Sequence, residues 1–282
     1  MTTTTTTTTT TKIQNHHQQQ SLPQLPVPLS LSLSLSLSLS LYIPTMQPFT
    51  VVQPTLSIVS RKSPFSKFPV HRIYCVGRNY AEHAAEMGED SSKAPPVFFQ
   101  KPSCSALVDT SIRQDVKFPP QTTNLHYEAE LVVAIGATTT TTEEAESMIF
   151  GYAVGCDLTR RDLQGAAKKS GHPWDTAKGF DDSAPCGPIV PREEAALDGA
   201  SVLSLKTRTA TNDFVLKQSS RLDAMIWSVE DVVANLSKYF VLQPGDLIFT
   251  GTPAGVGPLQ VGDRVKIECE PSSLPACEFT MV

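Results

Sequence analysis

Glu128 and Glu130 stand directly ahead of an unbroken apolar run, Leu131-Val132-Val133-Ala134-Ile135. A short, partly β-branched run of this kind reads as a buried strand. Side chains two apart on a strand share a face, so His126, Glu128 and Glu130 point one way while Tyr127, Ala129 and Leu131 point the other. Two carboxylates are thereby driven together, about 7 Å apart, beside a buried surface. There they repel and lose hydration, a cost that a bound cation reverses. A third acid, Asp157, ends a strand predicted over 152–157 and is placed to complete the cluster. Three carboxylates without a Cys or compact His set favour a hard divalent ion, Mg²⁺ first and Mn²⁺ or Ca²⁺ next. By spacing alone, two Glu on one face of a strand are as readily a solvated face, and both readings stand at this point.

Seven further strands are predicted, over 72–76, 96–100, 152–157, 202–207, 214–218, 246–250 and 264–268, against helices over only 80–87, 159–169 and 228–240. Strands in excess, with helices not regularly interleaved, give an α+β class that is predominantly β. The last helix opens with Ser228-Val229-Glu230-Asp231, a capping-box pattern, and the second with Thr159 as its expected cap. On the first, His83 and Glu86 lie three apart on one face, where a carboxylate orients an imidazole and raises its basicity. They are a candidate general base or a plain surface pair. On the second, Arg161 and Gln164 offer a guanidinium fork and an amide to a substrate carboxylate, or form a solvated face beside Lys168 and Lys169. A Gly-rich loop over 249–257, Phe-Thr-Gly-Thr-Pro-Ala-Gly-Val-Gly, is able to aim backbone N–H groups at an anion. It has neither a phosphate-loop ending nor a dinucleotide fingerprint.

The first part of the chain is of another kind. Residues 1–68 contain a ten-Thr tract, a His/Gln tract and a Leu-Ser alternation, and are read as a disordered leader ahead of a catalytic domain over 69–282. No acid precedes Glu82, and the leader is rich in Ser and Thr with scattered Arg and Lys, the composition of an organelle transit peptide. A mitochondrial destination is expected, with plastid and cytoplasm as alternatives and Met46 as an alternative start. Half the Leu-Ser run is polar, so no membrane span is expected. From Glu82 onward 17 basic residues face 28 acidic ones, a net of −11, which argues against a nucleic-acid surface. Six scattered cysteines without a C-x-x-C pair suggest buried reduced thiols, neither a zinc site nor a disulfide framework.

In order along the chain, six segments resemble the fumarylacetoacetate hydrolase superfamily, in particular its small acylpyruvase and oxaloacetate decarboxylase branch. They are Val76-Gly77-Arg78-Asn79-Tyr80 with His83, Lys101-Pro102-Ser103, His126 with Glu128 and Glu130, Asp157-Leu158-Thr159-Arg160-Arg161-Asp162, Pro173-Trp174 with Lys178 and Phe180-Asp181, and the 250–257 loop. The resemblance spans about residues 71 to 270. It implies a mixed β-sandwich roll with a few short helices, usually a homodimer. It implies further that Glu128, Glu130 and Asp157 hold Mg²⁺ or Mn²⁺, that His83 and Glu86 activate a water from a lid helix, and that Lys178 stabilises an oxyanion. Arg161, Gln164 and Thr252 would bind the carboxylate of a small 2-oxo acid. The implied activity is acylpyruvate hydrolysis to pyruvate and a carboxylate, with oxaloacetate decarboxylation or tautomerisation through a metal-stabilised pyruvate enolate. An isomerase or hydratase of unsaturated dicarboxylic acids is the alternative reading. A weakened metabolite-binding relative is another, because Ser220 and Leu222 replace the family's Gly and Thr between Gln218 and Met225.

Overall fold

A strand with every side chain buried, Ala129–Ile135, lies at the centre of the molecule. Ile149–Cys156 and Leu247–Phe249 flank it antiparallel, so its backbone is paired on both edges. Burial on both faces is why the sequence there runs apolar without alternation. The computed structural model describes residues 52–86, 95–138, 142–209 and 212–282. Around the central strand the large mixed sheet runs in the order Val97–Lys101, Ile73–Gly77, Leu247–Phe249, Ala129–Ile135, Ile149–Cys156, Ala184–Cys186, Leu107–Asp109, with Val190–Pro191 also on Ile149–Cys156.

Each face of this sheet has its own cover. On one, Leu131 and Val154 meet Leu203, Leu205, Val265 and Phe279 of a five-stranded sheet. On that same face Val133 and Ile135 pack on Val232, Val233 and Leu236 of the helix Val229–Ser237. On the other, Val132 and Ala134 pack with Leu56, Phe68, Ala106 and Ile189. The result is predominantly β with few helices, as expected, and all eight predicted strands are present. So are the three helices, as Ala81–Glu86, Arg161–Ser170 and Val229–Ser237; Met87, the last residue expected in the first, falls outside the described residues. The capping box is formed: Ser228 Oγ accepts from Asp231 N at 3.1 Å, and the Asp231 carboxylate accepts from Ser228 N at 3.3 Å. Among the described residues no helix is long and apolar enough to cross a membrane.

Three expectations are corrected. Thr159 is no cap: it sits in the short strand Thr159–Arg160, and its Oγ1 donates to the Asp157 carbonyl at 3.1 Å. The domain does not begin at residue 69. Thr55–Ser57 and Lys67–Pro69 form an antiparallel pair whose Leu56 and Phe68 enter the core, and Asp109 accepts from both N and Oγ of Ser57. Three-residue strands embedded in Ser and Pro leave no periodicity to read, so the pair is silent in the sequence. The Thr, His/Gln and Leu-Ser tracts and Met46 fall outside the described residues. Finally, five of the six free cysteines are buried, but Cys104 is exposed, on the short helix Ser103–Ala106.

Leu56 is fully buried, so Leu56→Ala costs about 2–5 kcal/mol. At about 2–4 °C per kcal/mol for a domain of this size, thermal unfolding shifts down by roughly 10 °C. A chain beginning at residue 70 melts below one beginning at residue 52.

Candidate active site

Two neighbouring strands leave the large sheet at the same level, and the residues at the breaks are acids. Leu125–Tyr127 belongs to a small three-stranded sheet with Thr159–Arg160 and Gly257–Leu259, whereas Ala129 opens the central strand, so Glu128 sits at the change of sheet. Asp157 sits at the matching change between Ile149–Cys156 and Thr159–Arg160, and its N–H donates to the Glu128 carbonyl at 2.9 Å. Glu130 follows one step inside the large sheet. Glu128, Glu130 and Asp157 are all buried, each offering an oxygen within 4.8 Å of the others.

Cations surround them. Lys178, buried at the end of the helix Asp175–Lys178, donates to Glu128 Oε2 at 2.6 Å and to Asp157 Oδ2 at 2.7 Å. Arg161 donates to Glu128 Oε1 at 2.5 Å and to Gln164 Oε1 at 2.6 Å. Lys101, buried at the end of Val97–Lys101, donates to the Leu158 carbonyl at 3.1 Å and to the Lys178 carbonyl, and lies 2.8 Å from Asp157 Oδ1. That last contact is an ion pair without hydrogen-bond alignment, so Asp157 Oδ1 has no aligned donor. Burial would raise the Glu128 carboxyl, but Lys178, Arg161 and His83 outweigh it and hold the group well below the usual carboxylate range. Burial and the charges of Asp157 and Glu128 push Glu130 well up. Burial opposes the Lys178 charge too, yet Asp157 and Glu128 raise its pKa overall.

Gly251 closes the floor. Its φ of +99° suits glycine, and a Cβ there would lie 2.7 Å from Asn79 Cβ. Its N–H donates to Glu130 Oε2 at 2.8 Å. The Gly-rich loop therefore does aim amides at anions, but at the protein's own carboxylates: Gly255 N also donates to Glu86 at 3.3 Å. Glu86 Oε2 lies 3.2 Å from His83 Nδ1, so the predicted pair is formed.

Every predicted site residue except Glu86 lines one cleft: His83, Glu128, Glu130, Asp157, Arg161, Gln164, Lys178 and Thr252. Glu86 stands behind His83. His126, which shares the strand face of Glu128, turns to Asn124 Oδ1 at 2.9 Å and receives Arg161 Nε at 3.4 Å. Burial and Arg161 push its pKa down to about 4, and it adds no charge to the cluster. Ser220 and Leu222 do not line the cleft; Leu222 packs against the core between the sheets and lines a separate groove with Met225 and Val229. Lys101, Asn79 and Gln218 hold parts of the site although nothing in their spacing assigns them a role. The available signal was a lysine closing an apolar strand, where burial requires a partner. Three buried carboxylates with converging oxygens, of which Asp157 keeps Oδ1 without an aligned donor, are a donor set that suits Mg²⁺ or Mn²⁺.

The family profile described as fumarylacetoacetate (FAA) hydrolase C-terminal matches residues 72–282. The chain belongs to the fumarylacetoacetate hydrolase family. Within the family it is 43% identical over 179 residues to a fumarylpyruvate hydrolase of Ralstonia sp, covering 62% of this chain and 88% of the relative. It is 39% identical to a mitochondrial oxaloacetate tautomerase of Bos taurus over 69% of this chain and 85% of the relative. The crystal structure of a fumarylpyruvate hydrolase from Pseudomonas aeruginosa in complex with Mn²⁺ and pyruvate superposes with a TM-score of 0.75 at 41% identity. It covers 84% of this chain and 98% of that one.

A cation held by Glu128, Glu130 and Asp157 would compete with protons for their carboxylates. Because the Glu130 carboxyl is pushed up, Mn²⁺ affinity rises with pH. Calorimetry in buffers of different ionisation enthalpy reads a net release of protons on Mn²⁺ binding. Glu130→Gln removes both the binding and the release.

Proposed function

We propose that the protein is a Mg²⁺- or Mn²⁺-dependent acylpyruvate hydrolase that also decarboxylates and tautomerises oxaloacetate. The observation that carries this reading is the buried cluster of Glu128, Glu130 and Asp157 with its counter-cations, opening on the same cleft as His83. A divalent ion held by these three carboxylates supplies positive charge against the negative charge that develops on a 2-oxo acid as its carbon–carbon bond breaks. Three carboxylates facing Lys101, Lys178 and Arg161 balance to zero when all are ionised, so a site loaded with the ion attracts an anionic substrate.

The side chains then take distinct parts. His83, oriented through Nδ1 by Glu86, removes a proton from water with its other nitrogen while the oxygen attacks the acyl carbonyl carbon. The bond between that carbon and C3 breaks, releasing a carboxylic acid, and the proton returns to C3 to give pyruvate. Glu86, itself fixed by Gly255 N–H, stabilises the imidazolium between those two transfers. Lys178 offers its ammonium to the substrate oxygen where charge collects. Arg161 and Gln164, already locked to each other at 2.6 Å, present a preformed fork to the substrate carboxylate, and Thr252 adds its hydroxyl. Oxaloacetate carries a carboxylate where an acylpyruvate carries the acyl group, and it loses CO₂ without any attacking water.

The acid-free leader and the mitochondrial location of the Bos taurus relative support a mitochondrial destination. Val215 and Leu216, about half exposed on the edge strand Val215–Arg221, support assembly as a homodimer.

Of hydrolysis and decarboxylation, only hydrolysis needs the base to activate a water. His83→Ala therefore lowers acetylpyruvate cleavage by about 10²–10⁴-fold and leaves oxaloacetate decarboxylation within a few-fold. Both rates are followed by ultraviolet absorbance with Mg²⁺ present. Equal loss of the two activities contradicts the assignment.

A further inference from the structure

Gln218 stands on the exposed edge strand Val215–Arg221, yet it is itself 1% exposed, because its side chain reaches beneath the 250–257 loop. Its Oε1 accepts from Ala129 N at 2.9 Å, between two of the acids. Its Nε2 donates to the Pro253 carbonyl at 2.7 Å and to Thr252 Oγ1 at 2.8 Å. An amide N–H only donates and a carbonyl only accepts, so these partners fix which end of the Gln218 amide is nitrogen. Both hydrogens of Nε2 are then used, and Thr252 Oγ1 is the acceptor in its pair. The single hydroxyl hydrogen of Thr252 is left to point away from Gln218, on a residue that lines the cleft. The crossing of loop over strand is tight: Gly255 has φ +95°, and a Cβ on it would lie 2.3 Å from the Lys217 carbonyl oxygen.

We propose that Gln218 is a positioning residue for substrate affinity: it turns the Thr252 hydroxyl into a donor aimed at the carboxylate of the 2-oxo acid. This rests on the reading of the cleft as a 2-oxo acid site. Gln218 touches no substrate itself and acts through Thr252, and through Ala129 it ties the loop to the strand that carries the acids. The Gln retained at the head of the altered 218–225 segment thus has a task that Ser220 and Leu222 do not share.

The test is a double-mutant cycle on the full chain loaded with Mn²⁺, reading pyruvate affinity by calorimetry together with KM and kcat for acetylpyruvate. Thr252→Val and Gln218→Met each weaken pyruvate binding and raise KM by about 10–100-fold, the loss of a hydrogen bond to a charged group. They change kcat and Mn²⁺ affinity by no more than about threefold, and the double variant is no weaker than Thr252→Val alone. Gln218→Glu keeps the acceptor for Ala129 and, ionised, claims the Thr252 hydrogen for itself. It gives the same non-additive loss and serves if Gln218→Met does not fold. Additive losses, or pyruvate binding by either Gln218 variant within about twofold of the unaltered chain, overturn the proposal. An unaltered chain that neither binds pyruvate nor cleaves acetylpyruvate overturns the 2-oxo acid reading beneath it as well.

Discussion

Carboxylates buried within 4.8 Å of one another repel and lose hydration, and only accompanying cations make such a cluster tolerable in a protein interior. Here the cations come from three separate elements. Lys101 ends a strand of the large sheet, Arg161 starts one helix and Lys178 ends another. Each element is held where it is partly by the ion pair it makes, so the site and the local fold are one construction. The same electrostatics set the division of labour among the acids: Glu128 is held ionised by Lys178 and Arg161, whereas burial, Asp157 and Glu128 push Glu130 towards its neutral form against the opposing charge of Lys178 and the backbone N–H of Gly251.

The cluster exists because two adjacent strands change sheets together. Glu128 and Asp157 stand where the two strands pass from the large sheet to the three-stranded one, still joined by a backbone hydrogen bond at 2.9 Å, and both line one cleft. The third wall is the 250–257 loop, which Asn79 and Gln218 pin from opposite sides. Asn79 Nδ2 donates to the Thr250 carbonyl at 2.8 Å, and Gln218 holds Thr252 and Pro253. A preorganised wall of this kind lets charge develop without the surroundings having to move first.

Much of this was legible in the residues. The apolar run 131–135 announced the central strand, and the two-residue spacing of Glu128 and Glu130 placed both carboxylates on one face. The three-residue spacing of His83 and Glu86 and the Ser228 capping box reappear as contacts at 3.2 Å and 3.1 Å. What the sequence concealed depends on long-range geometry. Nothing local marks Glu128 as the point where the chain changes sheets, and three-residue strands such as Thr55–Ser57 are too short for a period. The pairing of Lys101 with Asp157 joins residues 56 positions apart, and the loop amides of Gly251 and Gly255 find carboxylates more than a hundred residues away. The changes at Ser220 and Leu222, which looked like a threat to the site, fall outside the cleft.

The proposed function requires a divalent ion, held by the carboxylate cluster, for turnover. Its most direct test is turnover of acetylpyruvate by chelator-stripped protein as Mg²⁺ is titrated back. Activity that is absent at the start and rises to a plateau at one bound ion per chain is the result predicted. Full activity in excess chelator, from folded protein shown to be free of metal, would contradict it.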